Sequence, residues 1–78
     1  MNNNIDIATR RIITAMAEGS VIVDGVDKQS DYQQIYNYIE NHCWDLYFGS
    51  SQFNELLSGV YKCLKDSGFA ITNYKKRN

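Results

Sequence analysis

The sequence predicts a mainly helical α+β fold in the order α-β-α-α-β, with three helices and a small two-stranded β element. Three observations predict it. Apolar residues recur at helical spacing in three stretches, each closed by a glycine. A β-branched run, "SVIV", precedes an Asp24-Gly25 turn signal. A second strand-like run, "FAITNY", follows the last of the three glycines. The 78 residues make one small domain, 1–78, with frayed ends expected at about 1–4 and 75–78. A composition of 44% hydrophobic and 22% charged residues supplies enough apolar surface to fold, unlike a disordered tail.

The first helix is "NIDIATRRIITAMAEG". Asn4 or Asp6 is placed to cap it, Ile5, Ala8, Ile12, Ala15 and Met16 form its apolar stripe, and Gly19 stops it. Arg10 and Arg11 fall off that stripe. Ser20 to Val23 then reads as a short strand. The second helix opens on Ser30 with Gln33 three residues later, the spacing of a capping box. Its stripe is Tyr32, Ile35, Tyr36, Ile39, Cys43, Leu46 and Tyr47, running to Gly49, although the aromatic-rich "WDLYF" is also compatible with a strand. Ser50 or Ser51 is placed to cap the third helix, where Phe53, Leu56, Leu57, Val60, Tyr61 and Leu64 give the cleanest periodicity in the chain. Gly59 inside that helix costs about 1 kcal/mol against alanine, which a close helix approach would justify. Gly68 ends the helix, "FAITNY" is the partner strand, and "KKRN" is a basic tail.

The charge is dipolar. Up to Gly49, seven acidic residues face three basic ones; beyond it, five basic residues face two acidic ones. Such a distribution can steer association with a charged partner or a second copy, while a pI near 5.6 argues against a dedicated nucleic-acid binder. No stretch approaches the roughly 18 consecutive apolar residues of a membrane helix, and "MNNNIDIATRR" has neither the basic start nor the apolar run of a secretion signal, so a cytoplasmic protein is expected. Cys43 and Cys63 form no CxxC pair and read as reduced thiols in two helices. No cofactor is implied: two cysteines and one histidine scattered along the chain do not make a zinc site. Nucleophilic catalysis would need His42 as its base, and the simplest role for His42 is a surface pair with Asp45. "DGVDK" lacks the twelve-residue pattern of a calcium loop. An enzyme is not expected.

Residues 31 to 49 hold four of the six tyrosines, the one tryptophan and the one histidine. On a helix, Tyr32, Tyr36 and Tyr47 join the apolar stripe. Tyr38 falls on the opposite side with Asp31, Gln34, Asn41, His42 and Asp45, and Trp44 lies at the border. Exposed aromatics on an acidic, amide-rich face compose a protein-binding patch suited to a partner with a basic surface. The expected function is therefore a small non-enzymatic protein-binding domain of inhibitor, adaptor or antidote type. The analogy, at the level of class alone, is to phage and mobile-element products that block host machinery, anti-CRISPR proteins among them. Self-association through Trp44 and Phe48 is a further expectation.

"QFNELLSGVYKCLKDSGFAI" resembles the recognition helix and first wing strand of winged-helix proteins, over about a quarter of the chain. That resemblance implies a DNA-binding regulator as the alternative, with Lys62, Lys65, Lys75, Lys76 and Arg77 as phosphate contacts. Glu55 and Asp66 beside the helical lysines count against it.

Overall fold

The computed structural model describes residues 3–23 and 28–69, without the side chains of 28–30. It contains three α-helices, α1 (Asn3–Glu18), α2 (Lys28–His42) and α3 (Gly49–Asp66), and one 3₁₀ turn, Trp44–Leu46, between α2 and α3. The α+β expectation is corrected: 82% of the described residues are helical and no strand occurs among them.

The "SVIV" run fails as a strand because three of its four amides are already used. Gly19, at φ +84°, donates to Met16 O at 3.1 Å and Ser20 donates to Ala15 O at 2.9 Å, which together form a Schellman closure of α1. Val21 N also reaches Ala15 O at 3.4 Å, and Ile22 N reaches Gln34 Oε1 at 3.4 Å. Val21 is buried, whereas Ile22 is 65% exposed. The second predicted strand meets the same chemistry at its start. Gly68, at φ +88°, donates to Lys65 O at 3.0 Å and Phe69 donates to Leu64 O at 3.1 Å, so Phe69 completes a second Schellman closure and packs on the core. Residues 70–74 of that run, and the basic tail, lie outside the described residues.

The stripe residues of α1 and α3 behave as their spacing predicts. Ala8, Ile12 and Ala15 are buried on α1, and Phe53, Leu56, Leu57, Val60, Tyr61 and Leu64 are buried on α3. Thr9, also buried, satisfies its hydroxyl by donating to Ile5 O at 2.7 Å. The two helices approach closely at Gly59. A Cβ built there would lie 2.7 Å from Ile5 Cγ1 and 3.1 Å from Ile5 Cγ2, so the glycine is where Ile5 of α1 seats on α3.

The predicted caps are corrected. Helix α1 begins at Asn3, so Asp6 lies inside its first turn, and Asn4 Nδ2 donates to Leu46 O at 3.1 Å. Helix α2 begins at Lys28, which places Ser30 inside it. Helix α3 is entered from Phe48, which has no side-chain cap; Gln52 Oε1 instead reaches back to accept from Phe48 N at 2.8 Å. Helix α2 also stops earlier than its periodicity predicts, at His42 and not at Gly49, and "WDLYF" is neither a last helical turn nor a strand. Cys43 and Leu46 still turn inward, because the 3₁₀ turn keeps them facing the core.

Candidate protein-binding surface

Helix α2 has two packed flanks, and this determines which of the predicted site residues reach the surface. Towards α3, Tyr36 meets Phe53 edge-on at 4.9 Å between ring centroids, and Tyr32 stacks with Tyr61 at 6.3 Å. Tyr47 joins them from the connection, edge-on to Phe53 at 5.0 Å. Such stacked and edge-on pairs match the ring quadrupoles and add to the burial they provide. Towards α1, the Tyr38 hydroxyl donates to Arg11 O at 3.3 Å, and its ring stacks on His42 at 4.6 Å. Burial pushes the Tyr38 hydroxyl above its ordinary pKa, with Cys43 adding to that and Arg11 opposing it.

A helix wedged between two neighbours buries a wider arc than one stripe, and two expectations fail for that reason. Asp31, assigned to an exposed acidic face, is 1% exposed. Tyr38, assigned to the same face, is half-buried and packs against the core. Of the remaining predicted residues, Gln34 is half-buried and holds Ile22 N, whereas Asn41, His42, Trp44 and Asp45 are exposed. The expected His42 pairing with Asp45 is corrected as well. Asp45 is bound by Arg11, whose Nη1 and Nη2 donate to its two carboxylate oxygens at 2.9 and 3.0 Å. The same Arg11 Nη1 donates to His42 O at 2.9 Å. The hydrogen bond from Arg11 is the main reason the Asp45 carboxyl sits below its usual range, and Asp45 in turn holds the guanidinium charged. The face is therefore less acidic than its composition.

Two large apolar side chains are exposed beside these polar groups. Trp44 is 69% exposed and Phe48 is 88% exposed, both in the six-residue connection 43–48 between α2 and α3. The backbone carrying them is fixed from several sides. Leu46 N donates to Cys43 O at 2.8 Å, Leu46 O accepts from Asn4, Phe48 N donates to Gln52, and Arg11 holds Asp45 and the end of α2. Cys43, just before Trp44, and Leu46 and Tyr47, between the two exposed rings, turn into the core. The connection thus forms a knuckle that presents two aromatic side chains from a constrained backbone. Trp44 was legible in the sequence as a border residue. Arg11 was not, because its partners are 31 and 34 residues away in the chain.

Beside the knuckle, Arg10, Arg11, Thr14, Glu18, Tyr38 and His42 line an open groove of about 520 Å³ between α1 and α2. Its lining is mixed in charge and carries more apolar than polar surface. Lys62 and Lys65 of the alternative DNA-binding set are exposed on α3 together with Glu55 and Asp66, while Lys75, Lys76 and Arg77 lie outside the described residues. Among the described residues, no cluster of three metal-ligating side chains occurs and no helix is long and apolar enough to cross a membrane. No family model matches the chain, and comparison with curated proteins and with solved structures gives no match, so function has to be read from the residues themselves.

Proposed function

We propose that this chain is a small, non-enzymatic protein-binding domain, of inhibitor, adaptor or antidote type, that inserts Trp44 and Phe48 into an apolar cleft of another protein. The observation that carries the reading is the placement of the two exposed rings on a backbone fixed to all three helices. Aromatic side chains on a preorganised segment lose little conformational freedom on binding, which is what makes them effective anchors. Two rings bury roughly 150–250 Å² each, about half of one side of a standard interface, so the surrounding rim contributes the rest. A second copy is a poorer receiver than a cleft of another protein, because the charged side chains Arg10, Arg11 and Glu18 line the groove beside the knuckle. A basic partner is less favoured than the composition implied, since Arg11 neutralises Asp45 and Asp31 is buried.

The thiols and the histidine fit a binding role better than a catalytic one. His42 is stacked on Tyr38, and Cys43 is buried with its thiol pushed up by that burial, the reverse of what activates a nucleophile. Two free cysteines also suit a reducing compartment such as the cytoplasm.

The test is a photoreactive phenylalanine analogue at position 48, expressed in the native host. A defined adduct with another protein, lost on Trp44→Ala, is the expected result. Trp44→Ala and Phe48→Ala should each weaken that complex by about 2 kcal/mol, roughly thirtyfold. Being exposed positions, they should cost under about 0.5 kcal/mol in stability. An adduct of twice the 9.0 kDa chain mass would make the occupant a second copy, and no adduct at all would refute the reading.

A further inference from the structure

We propose that Arg11 is a positioning residue that holds the Trp44–Phe48 knuckle open by capping α2, a role that rests on reading the two rings as anchors. The last carbonyls of an α-helix have no amide partner within the helix and carry partial negative charge, so a guanidinium is well suited to meet them. Arg11 does so at His42 O, 2.9 Å away, and grips Asp45 through both carboxylate oxygens with the same planar group. Trp44 lies between these two points of attachment. The Tyr38 hydroxyl, donating to the main-chain carbonyl of Arg11, ties the clamp to α2 from the other side.

The clamp matters because the local sequence favours a different path. Cys43, Leu46 and Tyr47 continue the helical spacing of α2, and in a continued helix the Leu46 amide would donate to His42 O. Here Leu46 N donates to Cys43 O at 2.8 Å instead, the tighter 3₁₀ bond, and His42 O is taken by Arg11. Arg11 and the Leu46 amide thus compete for one carbonyl. Arg11 also binds both oxygens of the Asp45 carboxylate, which adds to its side of that competition. The helix ends where α1 supplies a cap, and the two rings are displayed as a result.

The experiment uses the isolated full chain, with backbone carbon shifts and amide hydrogen exchange read by NMR. Arg11→Met keeps the length and removes every donor. It should move the Cα shifts of Trp44 to Phe48 and change the Leu46 exchange rate roughly fivefold or more, the scale of losing a charge-assisted hydrogen bond at a partly exposed site. Core amides such as Ile12 and Val60 should stay within about twofold, a selectivity that a general loss of stability would not produce. Arg11→Lys, a single ammonium in place of a fork, should fall between. If Arg11→Met does not fold, Asp45→Asn at its exposed position removes the charged half of the clamp and is read at the same amide. Unchanged shifts and exchange at 44–48 in these variants overturn the proposal. A loosened knuckle in Arg11→Met, with partner capture that survives loss of both rings, overturns the binding reading alone and leaves the clamp.

Discussion

Gly59→Ala tests whether α1 and α3 are held at the distance that the Ile5 contact implies. Inside a helix, alanine should gain about 1 kcal/mol over glycine. Against that gain, the new Cβ would lie 2.7 Å from Ile5 Cγ1, well inside van der Waals contact, and Ile5 is itself packed on the core. Overpacking of this kind costs about 1–3 kcal/mol, so the net change should be a loss of between about 0 and 2 kcal/mol. A loss of about 1 kcal/mol lowers Tm by roughly 4–8 °C in a domain of this size. The sign depends on one neighbour, which makes the control decisive. In an Ile5→Ala background the steric cost disappears, and Gly59→Ala should then stabilise by about 1 kcal/mol. Thermal unfolding followed by far-UV circular dichroism on the four variants measures the coupling. Equal stabilisation by Gly59→Ala in both backgrounds would refute the close approach.

Acid should release the Arg11–Asp45 pair. The folded Asp45 carboxyl is held below its usual value of about 3.9, so its contribution to stability is complete above that pH and fades as pH falls through the lowered value. The Tm difference between wild type and Asp45→Asn should therefore shrink between about pH 5 and pH 2; a difference constant across that range would contradict the pairing. The two thiols should react in order: Cys63 is partly exposed, whereas Cys43 is buried and its thiol is pushed up by burial, so a thiol reagent on the native protein should modify Cys63 first. Equal rates would show that Cys43 is more open than the packing implies.

The amino-acid sequence by itself determined what depends on neighbours along the chain. The α3 stripe from Phe53 to Leu64 and the stops at Gly19 and Gly68 were all readable, because 3.6-residue periodicity and the left-handed backbone preference of glycine act over a single turn. The sequence also marked Trp44 and Phe48 as residues at the edge of the core. What it could not show is how many sides of each helix are covered. Helix α2 is packed on two flanks, which draws in Asp31 and Tyr38 from the face that a single stripe leaves to solvent. The β-branched "SVIV" carried strand propensity, yet its Ser20 and Val21 amides found a carbonyl on α1 and its Ile22 amide found Gln34 on α2. The end of α2 was decided by tertiary structure as well, since local periodicity runs on through Tyr47. Only a guanidinium from α1, brought across 31 residues of chain, supplies the partner that lets the last carbonyl of α2 do without the next turn.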